Sequence, residues 1–102
     1  MIPQLSPEQL EQARQAAKEA RRRRASFKEQ IRSGQLPSAA AFDQALADPV
    51  LANMKVVDFL RSIQRVGEKK AAGIMVRYGI ASNRRLRGLG YRQVDCLRAE
   101  FR

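Results

Sequence analysis

Apolar residues in the first third of the chain recur at spacings of three, four and seven positions, the period of one face of an α-helix. This face consists of Leu10, Ala13, Ala17, Ala20, Phe27 and Ile31. Because alanine buries little apolar area, we expect only the carboxyl-terminal end of the helix to dock on a core. The pattern predicts a partly projecting, basic helical arm over residues 1–34.

Residues with strong local preferences bound this helix at both ends. Ser6-Pro7-Glu8-Gln9 combines a serine cap, a proline at the first helical position and a capping box. No helix-breaking residue follows before Gly34. The predicted helix therefore has about 27 residues and a length of about 40 Å.

Shorter helical patterns fill residues 35–102, and no segment shows sustained alternation of apolar and polar positions. The sequence therefore predicts an all-α fold, with a long N-terminal helix followed by a compact helical domain over residues 35–102. The expected elements are a helix capped by Ser38 that runs to about Ala47, a short turn from Asp48-Pro49, and helices over Met54–Ile63, from Glu68 to about Tyr78, and from about Tyr91 to Phe101.

One motif occurs twice, 23 residues apart. The two copies are Ile63-Gln64-Arg65-Val66-Gly67-Glu68-Lys69-Lys70-Ala71 and Leu86-Arg87-Gly88-Leu89-Gly90-Tyr91-Arg92-Gln93-Val94. When the two are aligned, their apolar positions and one glycine of each coincide. An apolar residue and a glycine that open a helix leave its first N–H groups pointing outward, where the helix dipole favours an anion. We interpret residues 63–74 and 86–97 as two phosphate-binding hairpins.

The positive charge of the chain is concentrated around these hairpins. The whole chain has 20 basic and 10 acidic residues, and residues 63–102 alone have 10 basic and 3 acidic ones. Such an excess favours a polyanionic partner. With no histidine and one cysteine, a zinc site is excluded, and we predict no metal and no other cofactor. A single cysteine suits a reducing compartment.

Candidate phosphate contacts come from three regions. The arginines of the loop before the second hairpin are expected to face outward, where a planar guanidinium suits phosphate oxygens or a narrow minor groove. Lysines in the first turn of a helix oppose its dipole, which makes sense if an anion lies there. The arginine run on the long helix is either a third contact or a solvated face. The predicted site consists of Val66, Gly67, Lys69, Lys70, Arg84, Arg85, Arg87, Gly88, Gly90, Arg92, Arg21 and Arg24.

The chain resembles the actinobacterial integration host factor family over nearly its whole length. The residues that carry the resemblance are Met54-Lys55-Val56, Val66-Gly67, Lys70-Ala71, Ile74-Met75, Arg84-Arg85-Leu86-Arg87-Gly88-Leu89-Gly90 and Arg92-Gln93. The chain departs from the family pattern at Gln64, Glu68 and Tyr91, where proline, lysine and an acidic residue are expected. The first two departures suggest a divergent member in which the Arg84–Arg87 loop dominates binding.

The resemblance implies a nucleoid-associated protein with a helix-two-turns-helix module. Such a protein binds duplex DNA with little sequence preference, bends it, and acts in chromosome organisation, transcription and phage integration. Where the residues match the family's motif, its binding roles are expected here too. The turn around Val66, Gly67 and Lys70 is then expected to hold one stretch of the phosphate backbone, and Arg84, Arg85 and Arg87 to form a further DNA-contact surface. We expect double-stranded DNA as the partner, no small-molecule substrate, and a monomer, although the alanine stripe also allows two arms to pair.

The expected location is the cytoplasm, at the nucleoid. Met1-Ile2-Pro3-Gln4 lacks the basic-then-apolar plan of a signal peptide, and no apolar run approaches the length of a membrane span.

Two other function classes share features with this chain. The module and the basic extension are also similar to a small-subunit ribosomal protein that binds ribosomal RNA, which carries a long basic tail after its module, whereas this chain ends at Arg102. A helix-hairpin-helix glycosylase-lyase would use Lys69 or Lys70 as the amine nucleophile, with Asp95 assisting. That chemistry needs a pocket for a flipped base, for which 102 residues without tryptophan or histidine leave little room. We therefore expect no enzymatic activity.

Overall fold

A computed structural model describes residue 4 and residues 6–101 of the chain. The expectation about a signal peptide rests on residues 1–3, which lie outside the described part. None of the helices in the described part is both long enough and apolar enough to cross a membrane.

The first helix, α1, spans Pro7–Arg32 and has 26 residues. Its predicted capping box is present: the Ser6 hydroxyl accepts the N–H of Gln9 at 3.2 Å, and the Gln9 side chain accepts the N–H of Ser6 at 2.9 Å. The chain leaves the helix through Gly34, whose φ of +82° is a left-handed conformation that favours glycine. The predicted start and end of α1 are confirmed.

Five further helices follow within the described residues, and the prediction of an all-α fold is confirmed. They are α2 (Ser38–Ala47), α3 (Pro49–Ala52), α4 (Val56–Ser62), α5 (Glu68–Arg77) and α6 (Tyr91–Glu100), with one turn of 3-10 helix at Leu86–Gly88. Gly79, with a φ of +63°, follows the end of α5 as predicted. Ser38 was expected to cap α2 but is its first residue, because Pro37 occupies the cap position with extended backbone.

The predicted helix over Met54–Ile63 begins later than its apolar spacing indicates. The backbone N–H of Val56 donates to the carbonyl of Arg84 at 2.9 Å, and the N–H of Leu86 donates to the carbonyl of Met54 at 3.0 Å. These two bonds form an isolated antiparallel bridge between Lys55 and Arg85. Because this bridge fixes the backbone at Lys55 in an extended conformation, α4 begins at Val56.

Four phenylalanine rings form the centre of the core. Phe59 of α4 packs against Phe27 of α1, Phe42 of α2 and Phe101 after α6, with ring centroids 6.4, 5.8 and 5.7 Å apart. Phe42 and Phe101 meet edge to face at 5.2 Å, an arrangement that aromatic pairs prefer. The rest of the core surrounds this cluster.

The long helix docks by its carboxyl-terminal end, as predicted. Phe27 and Ile31 are buried, whereas residues 7–19 are exposed and Leu10 keeps 42% of its surface in solvent. A side-chain pair also fixes α1: the Arg23 guanidinium donates to the carboxylate of Asp48. The same carboxylate accepts the N–H of Val50 at 3.0 Å and so caps α3.

The end of α5 is tied to the end of α6. The Tyr78 hydroxyl donates to a carboxylate oxygen of Glu100 at 2.6 Å, and Arg77 lies 3.4 Å from the same oxygen. The hydrogen bond to Glu100 favours the protonated phenol and raises the pKa of Tyr78 above 10.0, with Arg77 acting in the opposite direction.

Titration of Tyr78 tests this contact. In a Tyr91→Phe background Tyr78 is the one remaining tyrosine, and ultraviolet absorbance should give a pKa above 10.0. Adding Glu100→Ala should return the pKa toward the ordinary value. Because the folded pKa is the higher one, the stability gained from this bond is complete below the ordinary pKa and is lost as pH rises through the folded one. An unchanged pKa after Glu100→Ala would contradict the assignment.

Candidate nucleic-acid interface

The sequence repeat corresponds to a repeat in the backbone. In the first hairpin the N–H of Val66 donates to the carbonyl of Ile63 at 3.1 Å, and in the second the N–H of Leu89 donates to Leu86 at 3.2 Å. Gly67 and Gly90 then cap α5 and α6 in similar extended conformations, with φ, ψ of −86°, −174° and −73°, 158°. The hairpins therefore present two helix starts in the same way.

Both helices begin without a side-chain cap. In α5 the helical hydrogen bonds begin with the N–H of Ala71, which donates to Gly67 at 2.9 Å. In α6 they begin with the N–H of Val94, which donates to Gly90 at 3.0 Å. The N–H groups of residues 68–70 and 91–93 consequently have no helical acceptor. Each hairpin thus provides backbone donors at the positive end of a helix dipole.

The two cap glycines are not required by the backbone conformation. Each has a negative φ that any residue adopts. A Cβ at Gly67 would have no other atom within 4 Å, and one at Gly90 would meet the Gln93 side chain at an ordinary 3.8 Å. The space beside Gly67 is therefore open, and the space beside Gly90 is bounded by the Gln93 side chain.

The first hairpin combines a core anchor with exposed charge. Val66 is half-buried against the core, and Lys69 and Lys70 are exposed in the first turn of α5. Glu68 lies between the glycine and the lysines, 3.7 Å from the Arg61 guanidinium at the end of α4. The spacing of residues along the sequence did not predict Arg61 as part of this site. The packing of α4 against α5 brings it there.

Two arginines of the loop Arg84–Arg87 bond to the backbone of the protein itself, which the sequence did not predict. Arg85 is half-buried, and its guanidinium donates to the carbonyl of Asn53. Arg84 donates to the carbonyl of Gly88 at 3.0 Å. The expectation that all three arginines face outward is therefore wrong for Arg85, whose side chain bonds the loop before α4, while Arg87 is exposed.

These arginines nevertheless line one concavity. A cavity of about 400 Å³ is bounded by Asn83, Arg84, Arg85, Arg87 and Gly88. Gly88 packs closely against one of them: a Cβ there would lie 3.1 Å from Cδ of Arg84, so that side chain would have to shift slightly. Because a guanidinium has five N–H donors, Arg84 and Arg85 keep donors for an anion after making their internal bonds.

Residues at the start of α6 extend this surface. Tyr91 is 74% exposed, and the guanidinium carbon of Arg92 lies 5.9 Å from its ring centroid. The Gln93 side chain accepts the N–H of Gly90 at 3.0 Å and donates to the carbonyl of Gly79 at 3.1 Å. Gln93 therefore holds the start of α6 against the end of α5.

The arginine run on α1 stands apart from the concavity of the second hairpin. Arg21 is exposed and Arg24 is half-buried, and neither lines that concavity. Arg23, between them, is committed to Asp48. Over residue 4 and residues 6–101, no group of three acidic, cysteine or histidine side chains is placed to hold a metal ion.

Comparison with known proteins gives consistent matches. A family model described as the S13-like H2TH domain matches residues 28–101. Proteins named integration host factor from Mycobacterium tuberculosis and Mycolicibacterium smegmatis are each 41% identical over 100 residues, covering 98% of this chain and 95% of the relative. The protein of that name from Streptomyces coelicolor is 38% identical over 100 residues, covering 98% of this chain and 94% of the relative.

A solved structure is also similar. The structure of sIHF bound to an 8-base-pair palindromic DNA superposes with a TM-score of 0.80 at 36% identity, covering 86% of this chain and 99% of that chain.

The turn of the first hairpin carries backbone strain that a substitution can relieve. Arg65 has a φ of +69° and is the one non-glycine residue with positive φ in the described part of the chain. This conformation costs about 1–2 kcal/mol for an L-residue, and glycine adopts it freely. Because glycine also loses more entropy on folding, Arg65→Gly should raise the free energy of unfolding by about 0.5–1 kcal/mol.

Chemical denaturation measures this change, and Arg87→Gly is the matched control. Arg87 occupies the middle of the 3-10 turn with ordinary backbone, so the same substitution there should lower stability slightly. An equal loss of stability in both variants would contradict the strain at Arg65.

Proposed function

The chain belongs to the actinobacterial integration host factor family, and on that premise we propose that it is an architectural protein that binds duplex DNA. It contacts the phosphate backbone with little sequence preference and bends or compacts the duplex. Its place is the nucleoid, where it acts in chromosome organisation, transcription and phage integration. We propose that it does so as a monomer and catalyses no reaction.

The observation that carries this proposal is the pair of equivalent helix starts. Each offers three backbone N–H groups without an acceptor in the helix, behind a glycine whose missing side chain leaves the approach open. A phosphate group fits such a position because the donors and the helix dipole act in the same direction. Two such positions grip a backbone at two points.

Side-chain cations complete the two contacts. Lys69 and Lys70 flank the first helix start, and Arg92 flanks the second. The concavity beside the second hairpin offers Arg87 and the remaining donors of Arg84 and Arg85. On α1, Arg21 and Arg24 add positive charge outside this surface.

Contacts of this kind explain weak sequence preference. Backbone N–H groups and arginines at phosphates fix the position of a duplex but do not distinguish base pairs. What preference there is then comes from the shape and deformability of the DNA. Several separated phosphate contacts on a small domain favour a duplex that bends to reach them all.

The alternatives gain less support. The relatives over nearly the whole length are named integration host factor rather than ribosomal protein, and the similar sIHF structure contains DNA. Lys69 and Lys70 are exposed, which fits phosphate contact better than a nucleophile in an enclosed pocket. We therefore propose DNA as the partner and make structured RNA an outcome of the test.

Fluorescence anisotropy with a mixed-sequence DNA duplex, an RNA duplex and a single strand, each at two salt concentrations, tests the proposal. Binding should favour duplex DNA and fall steeply with salt, by a slope of about 0.9 for each phosphate contacted. Preference for the RNA duplex would bring the ribosomal alternative forward. Absence of duplex binding at low salt would overturn the proposal.

The cap glycines provide the sharpest variant. Gly67→Ala with Gly90→Ala should weaken duplex binding by about fivefold or more, because each new methyl group stands in front of the N–H donors. Gly73→Ala, also in α5 and also open to solvent, is the control. It should leave binding unchanged and raise the free energy of unfolding by about 0.5–1 kcal/mol, as for other glycines within helices. Equal binding by all variants would contradict the assigned phosphate positions.

Glu68 should act against DNA binding. Its carboxylate lies at the start of α5 and pairs with Arg61, so it competes with a phosphate for the same positive end of the helix. Glu68→Gln should therefore tighten binding by about threefold. Glu11→Gln is the control, because Glu11 also pairs with an arginine, at 3.9 Å, but lies on the exposed arm. If both variants tighten binding equally, net charge rather than position is responsible.

A further inference from the structure

A second basic cleft lies between α1 and α4. It has a volume of about 220 Å³ and is lined by Lys28, Arg32, Asp58, Arg61 and Ser62. Neither hairpin supplies a lining residue, and the cleft contains none of the α1 arginines predicted as contacts. Three cations line the cleft with the Asp58 carboxylate, and Arg61 also pairs with Glu68 outside it, so a local excess of one positive charge remains when both carboxylates are counted.

The docking of α1 places the cations in this cleft. Phe27 and Ile31 are buried against the core, and Lys28 and Arg32 each follow one of them in sequence. Because residues four apart lie one above the other on a helix, both basic side chains lie along the same edge of the docked face. Arg61 approaches from the last turn of α4.

The other lining groups do not neutralise these cations. The Ser62 hydroxyl donates to the carbonyl of Asp58 at 2.9 Å, and this serine is only 2% exposed. Among the described residues, the Asp58 carboxylate forms no ion pair within 4.0 Å with Lys28, Arg32 or Arg61. Three like charges around a small cavity repel one another, and an anion between them relieves this repulsion.

Arg61 connects the cleft to the first hairpin. Its guanidinium lines the cleft and also lies 3.7 Å from the carboxylate of Glu68, the first residue of α5. The cleft and the start of α5 are therefore within reach of one side chain. A duplex offers about one phosphate charge per 1.7 Å of its axis, so a backbone held at α5 has further phosphates available for the neighbouring cleft.

We propose that the cleft between α1 and α4 binds a phosphate of the same duplex that the first hairpin holds, with Lys28, Arg32 and Arg61 as its ligands. This inference rests on the proposed function and extends the DNA contact from the two hairpins to the docked end of α1. When a phosphate occupies the start of α5, it displaces Glu68 and leaves Arg61 free for the cleft. The long helix is then part of the binding surface as well as of the core.

Paired substitutions on α1 test this inference. Lys28→Gln with Arg32→Gln removes the two cleft cations that α1 supplies and keeps the first two methylene groups of each side chain. Arg14→Gln with Lys18→Gln is the matched control, with the same residue types at the same spacing on the exposed part of the same helix and outside its arginine run. Duplex binding by each variant is measured by anisotropy over a series of salt concentrations, with circular dichroism to check helicity.

The cleft variant should bind duplex DNA about fivefold or more weakly, with a salt slope lower by about one to two. The control should change affinity by less than about twofold and leave the slope unchanged. Arg61→Gln changes α4 rather than α1 and should lower the slope by about one, so the test does not depend on how α1 tolerates substitution.

Three results would overturn the inference. Equal losses in the cleft and control variants would show a general effect of charge. Unchanged binding by the cleft variant and by Arg61→Gln, beside normal duplex binding by the unmodified protein, would remove the cleft from the interface and leave the proposed function intact. Absence of duplex binding by the unmodified protein would overturn both.

Discussion

The packing of Phe59 against Phe27, Phe42 and Phe101 holds together elements that are far apart in the sequence. Complete burial of one such ring contributes about 1.5–3 kcal/mol, and Phe42 and Phe59 are fully buried. Because these rings belong to α1, α2, α4 and the end of α6, the cluster fixes the position of the long helix relative to the two hairpins. Both helix starts and the α1 cleft depend on that arrangement.

At the starts of α5 and α6, a side chain that caps the helix would hinder the binding of an anion. A serine or aspartate cap commonly adds about 1 kcal/mol to a helix, and this chain uses such caps at Ser6 and Asp48. The starts of α5 and α6 have glycine instead. A side-chain cap there would satisfy the N–H groups internally and occupy the space that a phosphate needs. Because glycine in place of a serine or aspartate cap costs only about a few tenths of a kcal/mol, both repeats keep these N–H groups free at little cost in stability.

The sequence predicted the structural features that depend on residues close together in the chain. The cap at Ser6, the glycine after α5 and the repeated hairpin depend on neighbouring residues, and each was located correctly. The partners of Arg85 and Arg61 were not predictable in this way, because Asn53 and Glu68 reach them only through tertiary packing. Apolar spacing likewise extended α4 back to Met54, since it carries no information about a backbone bridge formed 30 residues later.

Some arginines of this chain join helices, and others are placed where they can bind an anion. Arg23 and Arg98 pair with carboxylates of Asp48 and Asp43 and join helices to one another, as Arg77 does through Glu100. These pairs lie at the surface, and because a carboxylate balances each arginine, the arginines contribute little to the binding of an external anion. At the first hairpin and in the α1 cleft the cations face one carboxylate each, Glu68 and Asp58, and in the described part of the chain no carboxylate lines the concavity of the second hairpin. Three of the ten acidic residues thus join helices, and the cations at the hairpins and in the cleft keep most of their charge for a backbone that approaches.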